Sequence, residues 1–186
     1  MSDEPGSRCY QIPVSRSGGD WDASLPGAAA LAERAAVATL TAAADDPAAL
    51  EGAEVSILLA DDATLRRLNR DYRGRNRATN VLAFPNMAPG SAPPPGLALA
   101  LGDLALAWET LCREAAAQGK PLAAHFSHLV VHGTLHLLGH DHEAEVEARV
   151  MEDLERGILG SLGLPDPYQI LEGDGPPSKR EAIDAG

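Results

Sequence analysis

The stretch PLAAHFSHLVVHGTLHLLGHDH, residues 121–142, decides how this chain is read. Pro121 suits the first turn of a helix, where its missing N–H costs nothing, and Gly139 can take the left-handed conformation that ends one. Between them the residues are apolar or histidine, so the pattern predicts a helix reaching Leu138. All six histidines of the chain, His125, His128, His132, His136, His140 and His142, fall in this stretch. At about 100° per residue, His125, His128, His132 and His136 share one helix face. His132 and His136 are four apart, so their imidazoles can converge on one ion. Once Gly139 turns the chain back, His142 can approach the same point from the loop. Three imidazoles with an open fourth position are the ligand set of a catalytic zinc site. His125 and His128 lie further upstream and are read as supporting or solvent-facing residues. His140, inside the turn, could contact substrate or the metal, and the pattern leaves its role open.

Outward from this helix, strands and helices interleave. Cys9–Val14 is expected to be a first strand, and Ser15–Pro26 a Gly/Ser/Asp linker. Ala28–Ala44 carries Leu31, Ala35, Val37 and Leu40 at helical spacing. Val55–Ala60 (VSILLA) reads as a buried strand, after which Asp61 or Asp62 can cap a helix running to Tyr72. Thr79–Phe84 is a second central strand closed by Pro85. Residues 86–96 (NMAPGSAPPPG) form a loop. Leu97–Leu106 is strand-like, Trp108–Gln118 helical, and Glu143–Leu162 a last amphipathic helix. The class is therefore α+β, close to α/β: a small sheet of about four strands covered by about five helices. Residues 1–170 are expected to form one domain with residues 1–8 loose, and 171–186 a disordered tail.

Composition narrows the function. At 45% hydrophobic residues and 186 residues in all, the chain can bury a core without a disulfide scaffold. Its two cysteines, Cys9 and Cys112, form no CxxC and exclude a cysteine-based zinc site. No run of about 18 apolar residues spans a membrane, and MSDEPGSRCYQIPV lacks the basic-then-apolar order of a secretion signal, so a cytoplasmic protein is expected. The net charge of −12 excludes a general cationic coat, so a nucleic acid could be held only by a local positive patch.

Such a patch exists. Arg66, Arg67, Arg70, Arg73, Arg75 and Arg77 supply six of the 15 positive charges within twelve residues, opposed locally only by Asp71. Guanidinium forks match phosphate oxygens. Asn69 and Tyr72 add hydrogen-bonding and stacking options for single-stranded nucleotides. Arg66, Arg67 and Arg70 read as a solvated helix face, whereas Arg73, at the helix exit, is the candidate phosphate contact.

Two resemblances follow. The spacing His132-Gly-Thr-Leu-His136-Leu-Leu-Gly139-His-Asp-His142 is similar to the metzincin protease motif, but Gly133 stands where those enzymes carry the glutamate that acts as general base. A peptidase therefore lacks its base. The segments LNRDYRGRNRATNVLAFP (68–85), GDLAL (102–106), AAHFSHLVVHGTLHLLGHDH (123–142) and MEDLE…LGLPDPY (151–168) resemble the YbeY family of bacterial metal-dependent endoribonucleases. That resemblance implies a small mixed sheet around a central metal-binding helix. It implies one Zn2+ per chain on His132, His136 and His142, and a functional arginine matching Arg73. It also implies single-stranded RNA, the 16S rRNA precursor, as substrate in rRNA 3′-end maturation and ribosome quality control, with the small ribosomal subunit or its proteins as partners and neither DNA nor membrane. Asp141, beside His142, is expected to cap the turn, orient a ligand or relay a proton. Either activated water or the RNA 2′-OH could attack. Two departures stand out: His140 where the family commonly has Tyr, and Ala83 where its strand usually has Ser. A zinc hydrolase of another substrate and a non-catalytic RNA-binding assembly factor are the competing readings.

Overall fold

The structure, a computed structural model, describes residues 9–86 and 99–169. In chain order its elements are β1 (Val14–Ser17), α1 (Trp21–Ser24), α2 (Ala28–Ala43), β2 (Glu54–Ala60), α3 (Asp62–Arg73), β3 (Val81–Pro85), β4 (Ala100–Ala107), α4 (Trp108–Ala117), α5 (Leu122–Leu137) and α6 (Glu145–Ser161), with a 3-10 turn at Pro47–Leu50. The strands form one mixed sheet in the order β1-β2-β4-β3. β1, β2 and β4 run parallel, and β3 pairs antiparallel with β4 as an edge.

Strand periodicity explains the layers. Val55, Ile57 and Leu59 of β2, Val81 and Ala83 of β3, and Leu104 and Leu106 of β4 point to one face, in the main core with α2, α4, α5 and α6. Leu82, Ala105, Ala60 and Ala107 point to the other, where Leu65 of α3 covers them. α5 is buried along most of its length, with Phe126, Leu129, Val130, Val131 and Leu135 at zero exposure. Each such side chain stabilises the fold by about 1.5–3 kcal/mol, which makes α5 the helix the others are built around.

The local signals choose their residues. Asp61 caps α3, its Oδ1 accepting from Thr64 N at 2.8 Å, and these bonds hold its carboxyl below the usual range. Asp62 serves another purpose: its Oδ1 accepts from Thr110 N at 2.9 Å while its own N–H donates to Glu109 at 2.7 Å, tying the starts of α3 and α4 together.

The N-terminal region differs from expectation. Of the expected strand Cys9–Val14, residues 9–13 contribute an isolated bridge, Gln11 to Glu54, and β1 runs from Val14 to Ser17, into the expected linker. Pro13 has no N–H to give a ladder, but its carbonyl accepts from Ile57 N at 2.9 Å. The linker also holds a sixth helix, α1, because Trp21 packs edge-on against Trp108 at 4.9 Å and Phe126 at 5.6 Å between ring centroids. The expected tail from residue 171, the loose residues 1–8 and all of the 86–96 loop except Asn86 lie outside the described residues. Among the described residues, no helix is long and apolar enough to cross a membrane.

Candidate metal centre

His132 and His136 project from the last two turns of α5, and Gly139, at φ 91°, carries the chain past the helix end. His142 returns from that turn. One ligand nitrogen from each of His132, His136 and His142 lies within 4.8 Å of the other two. The closest pair is His132 Nε2 and His136 Nε2, 3.1 Å apart. Two nitrogens each about 2.0–2.1 Å from a tetrahedral zinc stand roughly 3.3–3.4 Å apart, so the spacing fits a shared ion.

The protonation pattern fits as well. His132 Nδ1–H donates to Glu155 Oε1 at 2.6 Å, which leaves Nε2 as a lone pair directed at the cluster. Burial, reinforced by His132 and His142, pushes the His136 pKa down to about 4, so this imidazole is neutral at pH 7. His142 Nε2 is buried without a hydrogen-bond partner. A buried, unpaired nitrogen beside two converging lone pairs is costly in an apolar setting and is satisfied by a cation. Asp141 Oδ1 accepts from His142 N at 2.7 Å, capping the turn that presents the third imidazole. His140 is not in the cluster; it borders a surface depression of about 380 Å³ with Leu138, Gly139 and residues of the 43–50 segment.

The arginine segment wraps the far side of the sheet. Arg66, Arg67 and Arg70 are exposed on α3, Arg66 donating to Asn76 Oδ1 and Arg70 pairing with Asp71. Gly74, in the left-handed conformation, ends the helix just after Arg73. The Arg73 guanidinium donates from Nη2 to the Ala83 carbonyl on edge strand β3 at 2.6 Å and lies 5.6 Å from the Phe84 ring centroid. Tyr72 is 73% exposed and meets the same ring edge-on. Asn69 is not available to nucleotides: it is buried, and its amide donates to the Arg77 carbonyl at 3.0 Å, folding the RGRNR loop back onto α3.

A family model for endoribonuclease YbeY matches residues 26–163. The chain belongs to the YbeY family. Endoribonuclease YbeY of Rhodospirillum rubrum is 48% identical over 169 residues, 88% of this chain and 84% of its own length. That of Chelativorans sp. is 50% identical over 167 residues, 89% of this chain and 97% of its own length. That of Paramagnetospirillum magneticum is 52% identical over 149 residues, 80% of this chain and 89% of its own length.

The point where this YbeY chain parts from metzincins has a packing cause. A Cβ at Gly133 would lie 2.8 Å from Leu104 Cδ2 and 3.3 Å from Val81 Cγ2. Position 133 faces the sheet and leaves no room for a glutamate. Gly133→Ala is expected to destabilise the protein by up to about 2 kcal/mol, because the overpacking against buried Leu104, about 1–3 kcal/mol, exceeds the roughly 1 kcal/mol that alanine gains over glycine inside α5. Denaturant unfolding would show a lower midpoint with unchanged slope; an unchanged midpoint would mean that α5 does not press on the sheet here. The other departure, Ala83, is harmless to the Arg73 contact, which uses the main-chain carbonyl.

Two histidines behave otherwise than as solvent-facing residues. His125 and His128 are buried, His125 Nε2 against Glu114 at 2.9 Å and His128 Nε2 against Glu155 at 3.0 Å. Glu155 and Tyr168 were not legible as site residues, yet Glu155 reaches the cluster directly and the Tyr168 hydroxyl donates to it. The available signal was position: Glu155 falls on the buried stripe of α6 with Met151, Ile158 and Leu159, where a charged residue is rare unless partnered. Burial alone would push its carboxyl up; the hydrogen bonds from His128 and His132 outweigh that and hold it far below the usual range. The Tyr168 phenol is pushed up, by burial and by the adjacent Glu155 charge.

Proposed function

We propose that this chain is a metal-dependent endoribonuclease that cuts single-stranded RNA, with one zinc ion held by His132, His136 and His142. The convergence of three imidazole nitrogens, two of them 3.1 Å apart, carries the reading. Three imidazole nitrogens around an open position suit zinc, with nickel, cobalt and copper as the competing ions, and the family's name supplies RNA as the substrate class. The bound ion supplies Lewis acidity for a phosphodiester oxygen and lowers the pKa of water.

The protein's own residues set the stage for that chemistry. Arg73 holds a non-bridging phosphate oxygen as negative charge builds. Its guanidinium is already fixed by the Ala83 carbonyl and the Phe84 ring, so little reorganisation is needed. α3 and α5 lie on opposite faces of the sheet, and β3 is an edge strand among the described residues, so an RNA strand crossing that edge passes both elements. Exposed Tyr72 offers a ring for an unstacked base, which only single-stranded RNA presents readily. Asp141 keeps the His142 turn in place. Activity in 16S rRNA 3′-end maturation, with the small ribosomal subunit as partner in the cytoplasm, is the cellular role that the family resemblance supports.

The test is cleavage of a defined single-stranded RNA by protein of known metal content, free of contaminating nuclease. Cleavage is expected with zinc, loss of it on chelation, and poor cutting of the matching DNA. RNA left intact across several divalent metals would replace this reading with that of a non-catalytic RNA-binding assembly factor.

A further inference from the structure

We infer that Glu155, backed by Tyr168 and His128, is a positioning residue for the metal centre, acting through His132; this rests on the metal reading above. Glu155 has zero exposure, and no Lys or Arg is among its hydrogen-bond partners. The neighbouring Arg156 turns away, pairing with Glu152, Asp153 and Asp166 and lying over the Tyr168 ring at 4.9 Å. A fully buried carboxylate faced by two imidazoles and a phenol, with no Lys or Arg, is a poor choice for stability alone, since an apolar side chain of similar size would fill the space at no desolvation cost.

What the carboxylate does provide is direction. An ionised carboxylate only accepts, so every group facing it must donate. His132 is thereby fixed with its proton on Nδ1 and its lone pair on Nε2, the nitrogen 3.1 Å from His136 Nε2. The two remaining donors lock Glu155 itself. His128 Nε2–H donates to Oε2 at 3.0 Å, which explains why this histidine shares the helix face of the ligands without joining them. The Tyr168 hydroxyl donates to the same oxygen, and its ring packs edge-on against His128 at 5.5 Å between centroids.

Tyr168 lies beyond α6 and beyond the stretch matched by the family model, in a segment pinned by other contacts. Lys120 Nζ donates to the Pro167 carbonyl at 2.6 Å, and Arg156 covers the Tyr168 ring. The chain after the last helix thus sets the orientation of an imidazole on α5.

The experiment measures zinc affinity of the full chain by competition with a chromophoric chelator, alongside the visible spectrum of the cobalt-loaded protein. The variants are Glu155→Gln, Tyr168→Phe and, as a control, Glu33→Gln, which removes an exposed carboxylate on α2. Glu155→Gln keeps the shape but cannot accept from three donors. It is expected to weaken zinc binding about ten- to a hundredfold and to alter the cobalt spectrum. Tyr168→Phe removes one hydroxyl and is expected to weaken binding by a smaller factor in the same direction. Glu33→Gln should match the native protein in both readouts. Folded Glu155→Gln protein with native zinc affinity and cobalt spectrum would overturn the inference and leave Glu155 a purely structural residue. Should Glu155→Gln fail to fold, unchanged affinity and spectrum in Tyr168→Phe would overturn it equally. A native chain that binds neither zinc nor cobalt would overturn the metal reading and this inference together, whereas tight native binding that Glu155→Gln leaves intact overturns this inference only.

Discussion

Replacing His136 by alanine is expected to strip the metal and reduce RNA cleavage to background while the fold survives. His136 sits at the end of α5 and is half-buried, so its removal opens little core space. Its Nε2 is instead one of the closest pair of nitrogens in the cluster. If a binding free energy of about 10–16 kcal/mol is shared among the three imidazoles, each is worth roughly 3–5 kcal/mol, or about two to four orders of magnitude in affinity. Zinc content of the purified variant should fall from about one per chain to near zero, with a far-ultraviolet spectrum like that of the metal-free native protein. Full zinc occupancy in His136→Ala would refute its assignment as a ligand.

The second large effect concerns substrate rather than metal. Arg73→Ala is expected to keep zinc and fold while lowering RNA binding or turnover roughly ten- to a hundredfold, the loss of about 1.5–3 kcal/mol for a charge-assisted phosphate contact. Arg73→Lys should recover part of the loss, because it restores charge without the planar fork. Arg66→Ala should do less, since Arg66 is exposed and engaged with Asn76. With a net charge of −12, most of the surface repels a polyanion, so binding must weaken as salt screens the arginine segment. Binding measured for all three variants across a salt series separates the possibilities. Equal losses at Arg66 and Arg73 would mean a diffuse patch, and no loss at Arg73 would remove it from the phosphate site.

Elements whose signals are local were legible before any fold was known. The cap at Asp61, the run VSILLA, the stop at Gly139 and the four-residue spacing of His132 and His136 each depend on neighbours within a few positions. The structure places each of these elements within two residues of expectation. It also gathers His142 with the other two imidazoles, because a helix end followed by a tight turn leaves few places for a residue three beyond the glycine. Where the controlling contact is distant in sequence, local pattern was mute. Trp21 makes a helix inside an apparent linker only because Trp108 and Phe126 wait to receive it. Asn69 looked like a nucleotide contact and is a loop clamp, since its partner carbonyl appears only once the 74–77 segment has folded back. Gly133 looked like a missing base and is the point where α5 lies flat on the sheet. Glu155 reaches His132 from 23 positions away, and Tyr168 reaches Glu155 from beyond the last helix. A hydrogen-bond network among buried side chains is set by how three separate segments pack, and side-chain spacing along any one of them carries no record of it.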